Sequence, residues 1–444
     1  MVMTSDNEIT TFWFRRDLRL VDNAGLYQAL KNTANIQCLF IFDSVILDPL
    51  EDRDDARVNF IYESVRELDS ELRKLGSSLW VMHGSPGDVW QLLLSRHAIK
   101  AVYCNHDYEP YARSRDLMLK EIFERKGIPF LAFKDQAVLE KDEVLKEDRT
   151  PYTVFSPFKR RWLQIIDEFQ LKPYPTEKYW SRLKKIDPVS GGFYRMPFLK
   201  DLGFMPSHIP IPSPHNYRDV IANYAVSRDY PGMDATSRIS VHLRFGTVSI
   251  RRLATEAKET SEVWLNELIW RDFYFYILWH FPHVVKHAFK PEYDRIKWRN
   301  DETEFRAWRE GRTGYPLVDA GMRQLLHTGF MHNRVRMVTA SFLTKDLLVD
   351  YRLGEAWFAR KLLDYELSSN NGGWQWAAGT GVDAAPFFRI FNPEEQLKKF
   401  DAKMDYVRTW VPEVNGPDYL PPIVDHKTAR ERCLKVYREA LNAG

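Results

Sequence analysis

Cysteine is scarce: Cys38, Cys104 and Cys433 are the three in 444 residues. They are widely spaced and the first two sit inside apolar, strand-like runs, which excludes a disulfide framework or a zinc set and marks them as reduced packing residues. Long apolar runs are missing, and a hydrophobic fraction of 44% is that of a globular chain. The opening Met1-Val-Met-Thr-Ser-Asp-Asn-Glu8 lacks a charged-then-apolar leader, so a cytoplasmic protein with no membrane partner is expected. Charge of one sign is missing too: a net +2 does not by itself announce a polyanion partner, although a local basic patch on a near-neutral surface suffices for one. No internal repeat or low-complexity segment interrupts the chain. No Gly-x-Gly-x-x-Gly follows the first apolar run, where Phe14-Arg-Arg-Asp-Leu-Arg-Leu20 stands instead, and this argues against a dinucleotide in the usual place.

What abounds is aromatic side chains, 14% of the sequence with 14 Trp. Nine of those Trp, at 264, 270, 279, 298, 308, 357, 374, 376 and 410, fall in the second half. For any single Trp, core packing is the commoner role.

A chain of this length exceeds a single core. Apolar runs at 8–14, 36–42, 78–83, 100–104 and 128–132 alternate with amphipathic helical stretches near 22–32, 56–76, 86–97 and 111–126. That alternation predicts an α/β domain over 1–133, a doubly wound parallel sheet with helices on both faces. The alternation stops near Lys134, and a connector with Pro151, Pro157, Pro173, Pro175 and Pro188 runs to 204. Beyond it, over 205–444, windows 261–281, 316–329, 331–350 and 355–367 carry helical spacing and almost no strand signal, so an all-α domain is expected.

Four stretches carry chemistry. Leu362-Leu-Asp-Tyr-Glu-Leu-Ser-Ser-Asn-Asn-Gly-Gly-Trp-Gln-Trp376 sets two acids, two amides and two Trp where a helical core wants Leu and Ala, which reads as the floor of a cofactor pocket. Its Asn370-Asn-Gly-Gly373 is also a turn signal, and a helix end with an amphipathic turn explains it equally well. Thr236-Ser-Arg-Ile-Ser240 offers hydroxyls for a phosphate at a helix start, with a plain N-cap the commoner explanation. In Glu267-Leu-Ile-Trp-Arg-Asp-Phe-Tyr274, Glu267, Trp270, Arg271 and Tyr274 share one helical face, too aromatic for a simple i, i+4 Glu267 to Arg271 surface pair. In Met331-His-Asn-Arg-Val-Arg-Met337, Asn333 and Met337 lie one turn apart, and Arg334 and Arg336 require partners, with Asp364 and Glu366 as candidates. His332 reads as a structural hydrogen-bonding residue.

Trp13-Phe-Arg-Arg-Asp-Leu-Arg19, Thr236-Ser-Arg-Ile-Ser240, Glu267-Leu-Ile-Trp-Arg271, Gly314-Tyr-Pro-Leu-Val-Asp319, Met331-His-Asn-Arg334 and Asn370-Asn-Gly-Gly-Trp-Gln-Trp376 span nearly the whole chain. Through them it resembles the cryptochrome/photolyase family, and within it the class I cyclobutane pyrimidine dimer DNA photolyases of bacteria. The resemblance implies an antenna-type α/β domain and a helical domain holding a reduced, non-covalent FAD in a U shape. Tyr224 with Thr236, Ser237, Arg238, Ile239 and Ser240 would hold the phosphates, and Trp264, Arg271, Tyr365 and Glu366 would lie near the cofactor. Arg336 would pair with Asp364 beside the isoalloxazine, and Asn370 would face flavin N5. The longer Glu366 stands where the family more often has Asp.

Glu267, Trp270, Asn333, Met337 and Trp376 would line a cavity for a flipped-out dimer, where Glu267, if protonated, would hydrogen-bond a dimer carbonyl. Arg228, Arg271, Arg334 and Arg389 match positions that meet DNA phosphates around the lesion. The implied reaction is light-driven splitting of the cyclobutane ring in UV-damaged DNA by an electron from excited reduced FAD. A (6-4) photolyase would carry a His pair at His332-Asn333, so Asn333 with Met337 favours the dimer enzyme. A signalling cryptochrome is the alternative of another class. The family's relay would use Trp298, Tyr351 and Trp374, with Tyr in the middle place where Trp is usual and Trp357 as a substitute station. Glu109 and Lys286 are compatible with an antenna chromophore, 5,10-methenyltetrahydrofolate or 8-hydroxy-5-deazaflavin, or with none. A monomer is expected.

Overall fold

The computed structural model describes residues 8–186, 194–215 and 217–442. Its chain divides into two compact units, each discontinuous in sequence: Met1–Val138, Ile166–Ile211 and His242–Glu256 form one, and Leu139–Ile165, Pro212–Val241 and Ala257–Gly444 the other. The stretch read as a connector is therefore shared between the units: its part 139–165 belongs to the helical unit and contains helix Phe155–Ile165. Pro188 lies outside the described residues.

The first unit is built on five parallel strands, β1 (Ile9–Phe14), β2 (Ile36–Asp43), β3 (Leu79–Gly84), β4 (Ile99–Asn105) and β5 (Phe130–Phe133), in the order β3-β2-β1-β4-β5. Phe12 pairs with Cys38 on one side and with Tyr103 on the other. β1 and β2 are buried along their whole length, which is why they read as continuous apolar runs rather than alternating ones. Helices Ala24–Asn32, Ala56–Lys74 and Pro86–Arg96 start where Asn23, Asp55 and Ser85 accept a backbone N–H.

At the carboxyl ends of β1 and β4, where strand order reverses and α/β sheets usually take a ligand, the arginine-rich motif fills the crevice with ion pairs. Arg15 meets Asp116 at 2.6 Å, Arg19 meets Asp135 at 2.8 Å, and Arg251 bridges Asp135 and Asp22 at 2.8 and 2.9 Å. Gly25 donates to Asn105 Oδ1 at 2.8 Å, and a Cβ there would collide with the same oxygen.

Among the described residues the second unit contains helices and no strand. Helix Asn333–Ser341 continues into a widened turn, Phe342–Asp346, which fills most of the 331–350 window. One correction concerns Asn370-Asn-Gly-Gly373: it is no turn but lies inside helix Leu367–Ala378, which ends at Gly379 in the left-handed region. Gly372 is there because the Tyr274 ring occupies the place where a Cβ would stand. Trp308, Phe358 and Trp374 form the centre of this unit's core.

Candidate functional site

Helix Glu262–His280 begins with Ser261 Oγ accepting from Trp264 N–H at 3.3 Å, which sets the phase of its polar stripe. The stripe does not close on itself as an i, i+4 pair. Glu267 takes Arg228 as its partner, and Arg271 reaches Glu366 at 3.2 Å, both side chains nearly buried. Tyr224 lies under the Arg228 guanidinium, 5.2 Å from its ring centroid, and burial beside Glu267 pushes its phenol up to about 12.

The second charged pair is Arg336 with Asp364, bidentate from one guanidinium nitrogen at 3.0 and 3.1 Å. Arg336 Nε also donates to the Met331 carbonyl at 2.8 Å, and Ser240 Oγ donates to Asp364 at 2.6 Å, so Ser240 serves this pair and not a helix cap. Thr236 and Ser237 are half-buried and Ile239 is buried. Arg238 has a left-handed backbone, φ 48°, and pairs with Asp234 at 2.9 Å.

The two adjacent amides part ways. Asn371 and Gln375 point into the protein and both donate to the Val284 carbonyl, at 3.0 and 2.9 Å. Asn370 lies on the other face and donates to the Glu355 carboxylate at 2.8 Å; burial raises that carboxyl above the usual range. Beside Asn370 on its face, a Cβ on Gly373 would meet nothing within 4 Å. Asn266 Oδ1, one residue from Glu267 on helix Glu262–His280, is a buried oxygen without a hydrogen-bond partner.

Trp270 is half-buried, and one of its faces is covered by Phe155, with ring centroids 3.7 Å apart and planes 7° from parallel. Trp376 is half-buried beside Phe391. Asn333 and Met337 meet across one turn, Nδ2 to Sδ 3.9 Å. A cleft of about 400 Å³ is lined by Arg334, Arg389, Lys399, Asp229 and the rings of Tyr230, Phe391 and Phe400. Within it Arg334 pairs with Asp229 at 2.8 Å and lies over Phe400. Arg389 and Lys399 are exposed and, among the described residues, have no carboxylate within ion-pair distance.

The remaining sequence-predicted residues have these surroundings. Trp264 is core, stacked on Tyr217 at 5.4 Å. His332 caps helix Asn333–Ser341, its Nδ1 accepting from Arg334 N–H at 3.2 Å. Tyr365 is half-buried. Trp298 and Tyr351 are 6.4 Å apart, but the aromatic neighbours of Trp374 are Trp308 at 6.0 Å and Phe358 at 4.9 Å. Trp357 instead sits among the cations of Arg309, Arg360 and Lys361. Glu109 is held between Arg16 at 3.0 Å and Arg244 at 2.8 Å, and Lys286 is exposed. Phe155 and Lys399 carry no signal in the sequence: Phe155 lies in a stretch without periodicity, and Lys399 has the spacing of any surface lysine on an amphipathic helix.

Residues 10–178 match the family model described as DNA photolyase, and residues 264–417 the one described as FAD binding domain of DNA photolyase. A deoxyribodipyrimidine photo-lyase of Synechococcus sp. is 36% identical over 474 residues, 96% of each chain. The crystal structure of a bacterial class III photolyase from Agrobacterium tumefaciens superposes with a TM-score of 0.87 at 32% identity, covering 100% of this chain and 99% of that one. A Synechocystis sp. cryptochrome does so with a TM-score of 0.84 at 26% identity, over 98% of this chain and 100% of the other.

Proposed function

The chain belongs to the DNA photolyase family and carries its FAD-binding domain, and we propose that it repairs cyclobutane pyrimidine dimers in DNA under light. The observation that carries this reading is the grouping, in one helical unit, of the nearly buried pair Arg271 with Glu366, the pair Arg336 with Asp364, two half-buried Trp and a cleft with Arg334, Arg389 and Lys399. Reduced FAD, when bound, supplies the light-driven electron that opens the cyclobutane ring and takes it back. Arg336 with Asp364, Arg271 with Glu366, Ser240 and Asn370 would hold it, and Thr236, Ser237 and the left-handed Arg238 segment suit its phosphates.

The remaining work is positioning by the chain's own groups. Trp270, backed by Phe155, would stack on an extruded base, and Trp376 offers a second half-buried ring for the same purpose. Arg228 pairs with the Glu267 carboxylate and orients it to accept from a base N–H, while Asn333 and Met337 supply a short polar and soft wall. The cations of the cleft would take the backbone phosphates. A flavin photoreceptor is the second reading, favoured by the likeness to the Synechocystis cryptochrome. In a Trp270→Ala or Trp376→Ala protein, affinity for dimer-containing duplex should fall by about 1–3 kcal/mol, the worth of one base–aromatic stack, with the flavin still bound. Equal affinity of both variants and the parent would remove the assignment of these rings.

A further inference from the structure

Lys345 is a cation without a counter-ion among the described residues. It is 0% exposed, in the widened turn Phe342–Asp346 that follows helix Asn333–Ser341. No described carboxylate lies within ion-pair distance of it, because neighbouring Asp346 turns to His426 at 2.5 Å. Its Nζ instead donates to the carbonyls of Ala378 at 2.6 Å and Phe387 at 3.3 Å, and lies 3.9 Å from the centroid of the Tyr437 ring.

Ala378 is the last residue of helix Leu367–Ala378, where unsatisfied carbonyls and the negative end of the dipole attract a cation. Tyr437 reinforces the joint: its hydroxyl donates to the same Ala378 carbonyl at 2.9 Å, and its ring stacks on Phe387 at 5.9 Å and 12°. Phe387 belongs to the segment 379–391, which carries Arg389 and Phe391 to the cleft. Burying an ammonium without an opposite charge costs stability, and an apolar side chain of similar length would fill the space without that cost. Holding the segment in place is what the charge adds.

We propose that Lys345 is a positioning residue for the cleft: by tying the Phe387 carbonyl to the end of helix Leu367–Ala378, it fixes where Arg389 and Phe391 stand relative to Arg334 and Trp376. This rests on the reading of the cleft as the site of DNA phosphates. Burial brings the ammonium down to about 8, so its grip weakens as the amine loses its proton above that pH. From the helix His426–Asn442, Cys433, with its thiol pushed up to about 11, Tyr437, raised well above the usual phenol range, and Arg432 face this region. Asp346 on the same turn is raised by burial, the segment 379–391 contributes Asp383, and His426, raised by its hydrogen bond with Asp346, is the remaining titratable neighbour.

The test is the affinity of the flavin-loaded protein for a thymine-dimer duplex across the window around pH 8, for the parent, Lys345→Arg, Lys345→Met and Arg389→Ala. The parent should weaken about tenfold as pH rises through that window, the scale of one charge-assisted hydrogen bond. Lys345→Arg keeps its charge and His426, and should bind tightly throughout. Lys345→Met should bind at the weaker level at every pH, without a step. A step of the parent's size and position in either variant overturns the proposal, and one folded variant is enough to decide. If Arg389→Ala binds like the parent, the reading of the cleft fails; if Arg389→Ala weakens binding and Lys345→Met does not, the role of Lys345 alone fails.

Discussion

Gly372 sits where the ring of Tyr274 takes the space of a side chain, so helices Glu262–His280 and Leu367–Ala378 approach at that point, one turn from the Arg271 to Glu366 pair. A methyl group there forces the ring or the helix to move. Gly372→Ala should cost about 1–3 kcal/mol through overpacking and lower the temperature at which flavin is released. In the flavin-free protein Gly373→Ala should cost nothing and gain some helix propensity, since its Cβ would stand in open space. Thermal release of flavin fluorescence reads the first change, and thermal unfolding of the flavin-free protein the second. His332 is a second residue with a decided outcome. Its ring nitrogen accepts the Arg334 N–H only when unprotonated, and burial takes it down to about 4. The folded protein therefore binds fewer protons than the unfolded one between that value and about 6.5. The stability due to neutral His332 is complete above that window and is lost as pH falls through about 4. The loss should be roughly 1–3 kcal/mol, and His332→Asn, which keeps a capping oxygen, should flatten this part of the acid limb in urea titrations.

The elements of the sheet unit are legible in the sequence because its strands are short and apolar, and amphipathic helices, three of them with a side-chain cap at Asn23, Asp55 or Ser85, alternate with them. The helical unit is legible in outline and misleading in detail. Asn370-Asn-Gly-Gly373 carries every mark of a turn, and only the Tyr274 ring, contributed from almost a hundred positions earlier, explains glycine within a helix. Of the charged pairs, Arg336 with Asp364 is expected from the sequence, whereas Arg228 with Glu267 and Arg334 with Asp229 join positions whose approach no spacing reveals. The same limit affects the aromatic relay. Trp357 is attractive by its place before Asp364, but the three cations around it oppose a positive charge on its ring, and burial raises the Tyr351 phenol so that it parts with its proton reluctantly. Trp308, in contact with Trp374, is the better placed station. Under illumination with an external reductant, Trp374→Phe and Trp308→Phe should slow reduction of the bound flavin, while Trp357→Phe should follow the parent. The reverse order for Trp308 and Trp357 would restore the route through Trp357.

For the whole molecule the near-zero net charge makes local pairing decisive. Arg228, Arg271 and Arg334 already face carboxylates, which leaves Arg389 and Lys399 as the cations that release counter-ions at full strength. Binding to damaged duplex should then show a log–log salt slope of about −2, against roughly −4 for four free arginines. Asp229→Asn, which frees Arg334, should steepen the slope by close to one. No described helix is long and apolar enough to cross a membrane. The central claim is that this chain repairs dimers and does not only sense light, and one measurement addresses it most directly: a thymine-dimer oligonucleotide is incubated with the protein carrying chemically reduced flavin, in blue light and in darkness, and restored pyrimidines are quantified. The account predicts repair in light alone, intact in Trp308→Phe and Trp357→Phe and much reduced in Trp270→Ala. Flavin-loaded protein that absorbs blue light and leaves the dimer unchanged would contradict it.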